Sequence, residues 1–327
     1  MIPQDMTVIE AAAAGGPEAL AIARRPVPDP RPGEVLVKVT AAGVNGPDIV
    51  QRKGLYPPPK GASDLLGLEV SGEVVACGAE AAGWSTGDRI CALTNGGGYA
   101  EYVAVDAAHC LPIPDGVDET DAAGLPETYF TVWSNVFLDM DIREGAIFLI
   151  HGGAGGIGST SIQLGSALGL RIFTTAGSEE DCAFCTDLGA ERAIDFRNED
   201  FVEIVREAGG ADIILDIIGG DYVARNIKAA RHDGRIIQLA FNKGSKVEID
   251  LMPIMLKRLI YTGSTLRSRT DKFKARVAQA LRLSAWPLFA DGRLRPVTHK
   301  VLPFSEARAA HEMMETAGHR GKILLTP

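Results

Sequence analysis

The 327-residue sequence has no apolar run near the ~20 residues that a membrane-spanning helix needs; its longest, such as Ala146–Ile150, are far shorter. It opens Met1-Ile2-Pro3-Gln4-Asp5, without a basic segment and apolar block, so no secretory leader is expected. Cysteine is scarce. The five residues (Cys77, Cys91, Cys110, Cys182, Cys185) are an odd number in a long chain, which fits free thiols in a reducing cytoplasm and not a disulfide framework. Cationic excess is also missing: 33 basic residues stand against 42 acidic ones, for a net charge of −9. No Lys/Arg cluster alternates with aromatics, which excludes a dedicated nucleic-acid binder and attraction to an anionic membrane surface. At 46% apolar and 23% charged residues, the composition is that of an ordinary globular chain, and the length suggests about two domains.

Glycine, by contrast, is abundant. The 37 residues show no period but cluster at 95–98 and 152–158. Residues 1–120 read as β-rich: 33–40 and 67–76 alternate apolar and polar positions as half-buried strands do, and 89–93, 99–105 and 111–114 continue the pattern. Pro57-Pro58-Pro59 is a stiff loop, because each ring locks one φ angle. From about 120 the pattern becomes strand–helix alternation, with helices over 121–138, 156–168, 179–188, 201–208 and 222–230. The strands between them are 146–150, 171–175, 193–195, 211–217 and 235–240. Such alternation implies βαβ units and a parallel sheet. A further strand over 257–266, a long helix over 272–289, a strand over 295–302 and a helix over 304–316 complete the chain.

The most informative segment is Phe148-Leu-Ile-His-Gly-Gly-Ala-Gly-Gly-Ile-Gly158. Gly152, Gly155 and Gly158 lie between an apolar strand and a helix. In that context glycines permit a tight turn, a close approach to a pyrophosphate, and close strand–helix packing; the helix N-terminus offers N–H groups to the phosphates. An NAD site commonly has an acid on the ribose about 20 residues later. Here Ala176 lies 18 residues after Gly158, inside Thr175-Ala-Gly-Ser178. That small polar loop favours a 2′-phosphate and hence NADPH. Glu179, Glu180 and Asp181, which follow at once, oppose it and keep NADH open; Ser178 and Arg192 are candidate phosphate partners.

Together these segments resemble the zinc-independent, zeta-crystallin-like quinone oxidoreductases of the medium-chain dehydrogenase/reductase superfamily. The marks are Ala42-Gly-Val-Asn-Gly-Pro-Asp-Ile-Val-Gln-Arg-Lys-Gly-Leu-Tyr-Pro-Pro-Pro59, Leu66–Gly72, Gly96–Tyr102, Leu125–Thr131, the glycine turn, Gly263–Arg269 and Gly321–Leu325. The resemblance implies an α/β chain with a GroES-like β-rich catalytic domain (1–122 and 268–327) around an inserted Rossmann domain (123–267). It implies catalytic roles for Asn45 and Tyr56. Cofactor contacts are implied at Asn45, Tyr56, Thr131, Gly152, Gly155, Gly156, Ile157, Gly177, Ser178, Ile218, Ala240, Phe241, Thr265, Leu266 and Lys322. It also implies a homodimer joined edge to edge near 258–266. Two departures stand out. Asp181 replaces the lysine that relatives place against the 2′-phosphate, and Gly46-Pro47 replaces Arg-Ala after the asparagine.

Zinc enzymes of the superfamily use a Cys and a Gly-His-Glu motif; the matching positions here are Asn45 and Leu68, which do not suit a tetrahedral N/S site. The closely spaced cysteines of a structural zinc lobe are missing too. No metal is expected. Hydride addition to an isolated ketone makes an alkoxide, near the basicity of hydroxide (water pKa about 15.7). A quinone or enone instead gives a delocalised anion, and a phenol has a pKa of about 10. The gap of roughly six units is worth about 8 kcal/mol, so a metal-free site suits conjugated acceptors. An enoyl-thioester reductase, which would need basic groups for a phosphorylated carrier, and a cofactor-binding protein without turnover are the alternatives.

Other residues have blander readings. Cys182 and Cys185 are expected to be free helix thiols, and His151 a packing or hydrogen-bonding residue. Asp48 either caps a short helix or faces the site, while Glu69 and Glu127 are open between buried acids of the site and structural residues. Tyr99, Trp133, Trp286 and Phe289 are expected in the core or lining a cleft.

Overall fold

The computed structural model describes residues 1–316 and 318–327, and the chain divides into two units, Met1–Phe130 with Arg267–Pro327, and Thr131–Leu266. The first unit is built on a seven-stranded sheet. Its order is Thr298–Pro303, Lys322–Thr326, Glu34–Val44, Glu69–Cys77, Arg89–Leu93 and Cys110–Pro112, with Tyr102–Asp106 also paired to Glu34–Val44. The last strand to be made, Lys322–Thr326, thus pairs antiparallel with Glu34–Val44 near the front of the chain (Ile323 opposite Val44). Inward residues such as Val35, Val37, Val70, Ile90, Val103 and Leu325 form one core. A hairpin, Asp5–Ala11 with Leu20–Pro26, stands beside it.

The second unit has a six-stranded parallel sheet in the order Arg192–Asp195, Arg171–Ala176, Ile147–His151, Ala211–Asp216, Ala230–Gln238, Ile260–Gly263. This is the doubly wound order 3-2-1-4-5-6, in which the chain reverses direction between the first and fourth strands and ligands bind beyond the strand carboxyl ends. Both strands at that switch point, Ile147–His151 and Ala211–Asp216, are almost wholly buried, as strands covered on both faces must be.

The structure corrects three element boundaries. Residues 121–138 are not one helix: Glu119–Ala122 ends, Pro126–Val132 begins at its proline, and a π-helical turn over Trp133–Phe137 follows. The long helix expected over 272–289 stops at Ser284 and restarts as Pro287–Ala290, because a proline cannot continue the hydrogen-bond ladder. The strand expected over 257–266 is shorter, Ile260–Gly263, and a helix, Met252–Lys257, precedes it, with Arg258 in the left-handed region between them. Among the described residues no helix is long and apolar enough to cross a membrane.

Candidate active site

In the first unit, the strand Glu34–Val44 runs into Asn45, the N-cap of the helix Gly46–Arg52. Asp48, one turn in, accepts the backbone N–H groups of Asn45 and Gly67, each at 2.9 Å. It therefore both caps the helix and ties it to Gly67. The Asn45 amide is fully engaged. Its Nδ2 donates to Glu69 Oε1 (2.9 Å), and its Oδ1 accepts from Lys322 Nζ. Because an ammonium can only donate and a carboxylate only accept, these partners fix which way the amide faces.

Lys322 is spent on the same knot. Its Nζ donates to Asn45, reaches Glu69 Oε1 at 2.6 Å and lies 3.4 Å from the Val44 carbonyl, three acceptors for three N–H bonds. Glu69 is 0% exposed and also accepts the Glu127 backbone N–H at 2.7 Å. Three carboxyls, Asp48, Glu69 and Glu127, thus interact with one ammonium. Lys274 also acts on Glu127, but burying a cluster of three carboxylates still costs more than protonating one or two of them. Loss of water is the main cause that pushes Asp48 up to about 6 and Glu127 up to about 8, with Glu69 adding to both. The Glu127 carboxyl makes no hydrogen bond to a described residue, so it is the natural holder of the proton.

Tyr56 follows that helix and leads into the proline loop. It is half-buried, and the Arg267 guanidinium lies 5.5 Å from its ring centre. Its hydroxyl pKa is raised by burial and by Glu127, with Arg267 acting the other way. Arg267 is itself anchored on the Asn95 carbonyl (2.6 Å) and Gln51 Oε1 (2.6 Å), and Lys274 Nζ on Asn95 Oδ1 (2.6 Å). Sequence reasoning missed Asn95 and Lys274 and gave Arg267 only as part of a motif; no local pattern announces them. Around this knot the Tyr56 hydroxyl and the Glu127 carboxyl make no hydrogen bond to a described residue, whereas the polar atoms of Asn45 and Lys322 are bonded to each other and to Glu69.

In the second unit, the glycine turn divides its labour. Gly152 has φ +75°, which only glycine adopts freely. A Cβ at Gly158 would stand 2.2 Å from the Gly152 carbonyl oxygen, and one at Gly153 2.2 Å from Thr174 Oγ1. Those two glycines let strand and helix meet. At Gly155, the N-cap of Gly156–Ala167, a Cβ would meet only the Gly152 oxygen at 3.7 Å. The helix has no side-chain cap, so the first-turn N–H groups of Gly156 and Ile157 are presented outward. This cradle fits a dinucleotide pyrophosphate. The sequence pattern found Gly152, Gly155 and Gly158 but passed over Gly153.

The other expected contacts lie at strand ends of the same unit. Gly177 and Ser178 follow Arg171–Ala176, Ile218 follows Ala211–Asp216, Ala240 and Phe241 follow Ala230–Gln238, and Thr265 and Leu266 follow Ile260–Gly263. The Thr131 carbonyl accepts from Asn135 Nδ2 (2.8 Å). A buried relay stiffens this edge. His151 Nε2 donates to Asn226 Oδ1 (2.7 Å), Asn226 Nδ2 to Asp216 Oδ2 (2.9 Å), and Asp216 Oδ1 accepts from Ile218 N (2.6 Å). His151 is therefore a hydrogen-bonding residue of the frame.

The two folds define the class: a GroES-like catalytic unit and a Rossmann unit in one chain, the plan of the medium-chain dehydrogenases/reductases. Residues 31–115 match the alcohol dehydrogenase GroES-like domain and residues 156–285 the zinc-binding dehydrogenase domain. The quinone oxidoreductase of Sus scrofa is 30% identical over 98% of this chain and 97% of its own. The structure of Escherichia coli quinone oxidoreductase complexed with NADPH aligns with a TM-score of 0.84 at 26% identity, over 98% and 100% of the two chains. The CurK enoyl reductase aligns with a TM-score of 0.86 at 25% identity, over 99% of each chain. The chain belongs to the quinone oxidoreductase family of the medium-chain dehydrogenases/reductases.

Zinc, which the second domain's description carries, does not fit these residues. At the matching positions Asn45 is bound to Lys322, and Leu68 is apolar and 2% exposed. A cation there would meet an ammonium. Among the described residues one trio of potential ligands gathers elsewhere, Asp106, His109 and Asp271. It contains no cysteine, and the His109 Nε2 lies 3.1 Å from the Asp271 carbonyl oxygen.

Proposed function

We propose that the chain reduces quinones and other conjugated carbonyl compounds with NADPH, without a metal. The observation that carries this reading is the Asn45–Lys322–Glu69 knot, which puts a saturated ammonium at the position a zinc enzyme would give to its metal. Bound nicotinamide supplies the hydride. The chain's own residues hold the dinucleotide and answer the charge that hydride transfer leaves on the substrate oxygen. Gly152, Gly155, Gly156 and Ile157 cradle the pyrophosphate; Gly177, Ser178, Ile218, Ala240, Phe241, Thr265, Leu266 and Thr131 line the remaining length.

Tyr56 is the group placed to hydrogen-bond the substrate carbonyl, and Glu127, protonated below about pH 8, is the proton reserve near it. Asn45 and Lys322 act one step back: their bonds are spent in setting Glu69 and the helix Gly46–Arg52. The site's cations are committed to internal partners, Lys322 to Asn45 and Glu69, Arg267 to Asn95 and Gln51, and Lys274 to Asn95, so they give a localised alkoxide little stabilisation and acceptors whose new charge is delocalised are favoured. The test is NADPH oxidation with 1,2-naphthoquinone against a simple aliphatic ketone. Fast oxidation with the quinone alone is expected. Stoichiometric zinc with brisk turnover of aliphatic alcohols would overturn the reading, and tight NADPH binding without oxidation by any acceptor would favour a non-catalytic role.

A second reading, enoyl-thioester reduction, draws on a cleft of about 650 Å³ in the first unit whose lining includes Arg31, Lys60, Arg269 and Lys274. No such basic group was apparent in the sequence. Yet Asp64 and Asp271 line it too, and Arg31 lies 3.9 Å from Glu34, so its charge is mixed. Crotonyl-CoA reduction faster than quinone reduction would reverse the preference.

The homodimer belongs to the same proposal. Ile260–Gly263 is an outer strand of its sheet, and Met252, Met255, Leu256, Ile260 and Tyr261 are exposed on or beside it. A bare apolar edge strand favours pairing with a second copy. Light scattering of wild type and Ile260→Lys tests this: a dimer converted to monomer is expected, and a wild-type monomer at micromolar concentration refutes it.

A further inference from the structure

A 2′-phosphate at the Gly177-Ser178 turn would face Glu179, Glu180 and Asp181, and residues 175–191 contain no lysine or arginine. The needed cation must come from elsewhere in the fold. Arg192, the first candidate in sequence, is committed: its guanidinium holds Glu199 and donates to the Ala193 carbonyl at 2.7 Å.

The next strand supplies another. Arg192–Asp195 pairs in parallel with Arg171–Ala176, with Asp195 opposite Ala176. The residues after it, Phe196 and Arg197, therefore emerge beside Gly177. Their backbone is pinned there, since Phe196 N donates to the Ala176 carbonyl (3.2 Å) and Arg197 N to Asp195 Oδ1 (3.0 Å). Arg197 Nη2 lies 3.9 Å, and the Phe196 ring 3.4 Å, from where a Cβ on Gly177 would stand. The Arg197 guanidinium has no ion pair with a described residue, and Phe196 leaves 43% of its surface exposed. Ser178 Oγ accepts the Asp181 N–H at 3.1 Å, which leaves the hydroxyl hydrogen free to donate.

We propose that Arg197 is the residue that selects NADPH over NADH, pairing its planar fork with the 2′-phosphate while Ser178 adds a hydroxyl bond and Phe196 offers a face to the adenine. The assignment rests on the function proposed above. It explains how the chain can dispense with a basic residue at Asp181: the cation comes from the neighbouring strand, about one strand spacing away, and the guanidinium matches phosphate geometry better than an ammonium would.

The test is equilibrium binding, by calorimetry, of NADPH, NADH and 2′,5′-ADP to wild type, Arg197→Ala and Arg197→Lys. Wild type should bind NADPH more tightly than NADH. Arg197→Ala should lose about ten- to hundredfold in affinity for NADPH and 2′,5′-ADP, the usual range for a charge-assisted pair, with NADH unchanged within twofold. Arg197→Lys should recover part of the loss. An NADPH:NADH ratio that is the same in wild type and Arg197→Ala overturns this assignment and leaves the proposed function standing. Failure of wild type to bind either nucleotide overturns both.

Discussion

Replacing Glu127 by Gln should stabilise the protein, and only at high pH. The carboxyl sits against Glu69 and Asp48, with Lys322 and Lys274 as the opposing cations, and its pKa rises from 4.5 to about 8. Below about pH 4.5 it is neutral in folded and unfolded chains alike. Between that value and 8 the unfolded chain releases the proton while the folded chain keeps it, so folding stability falls across this window and the deficit is complete above it. At ~1.36 kcal/mol per pKa unit the full displacement is worth about 5 kcal/mol. The side chain keeps partial contact with water, which screens the repulsion, so about 2–3 kcal/mol is the realistic figure. Glutamine has the same shape, never ionises and forfeits no hydrogen bond. For a unit of this size each kcal/mol moves Tm by about 2–4 °C. Thermal unfolding of both proteins from pH 5 to 9 should show Glu127→Gln higher by about 5–10 °C at pH 8.5 and equal within 2 °C at pH 5. A difference independent of pH, or a less stable variant at pH 8.5, would refute the reasoning.

Lys322→Met should be the converse case. It strips Glu69 of its cation and costs about 3–5 kcal/mol at pH 7.5, measurable by urea denaturation, and Glu69→Gln in the same chain should restore most of the loss. The glycine turn separates folding from binding: Gly155→Ala, whose Cβ makes only an ordinary contact with the Gly152 oxygen at 3.7 Å, should keep Tm but weaken NADPH binding at least tenfold, whereas Gly158→Ala should lower Tm itself. Equal Tm values for the two variants would contradict the division of roles. Tyr56→Phe should reduce quinone turnover modestly with the fold intact; abolished turnover in a folded variant would mean that Tyr56 does more than bind the carbonyl.

Much of the second unit was legible because its signals are local. An apolar strand, a glycine turn and a helix occupy 147–167, and each successive βα step is announced within a dozen residues. The first unit's site was legible only as a resemblance, because its bonds are long-range. Asn45 and Glu69 are 24 residues apart, Lys322 and Asn45 277, Arg52 and His311 259. No periodicity connects such positions; Asn45 and Lys322 were named only by the resemblance, and the bonds that join them to each other and to Glu69 became visible only in the structure. The helix Met252–Lys257 was missed for a different reason: six residues are too few to show a 3.6-residue period.

The same long-range bonds explain how a site with such weak chemistry can hold its geometry. Behind Asp48 stands the Tyr99 hydroxyl, which lies 3.0 Å from His311 Nε2. Arg52 Nη1 approaches His311 Nδ1 at 3.0 Å, and because a guanidinium only donates, Nδ1 must accept and Nε2 must carry the hydrogen. Burial, with Arg52 beside it, pushes His311 down to about 3, so this tautomer persists through the working pH range. Arg52 in turn holds Glu315 at 2.7 Å. The helix Gly46–Arg52 is thereby gripped at both ends, by Asp48 at its start and Arg52 at its finish. Its N-cap, Asn45, cannot shift without breaking either grip, and through Asn45 the Lys322 ammonium is held among the carboxyls. A reductase that lacks a Lewis acid must gain rate from placement rather than from field strength, and placement is what this chain of neutral and paired groups supplies.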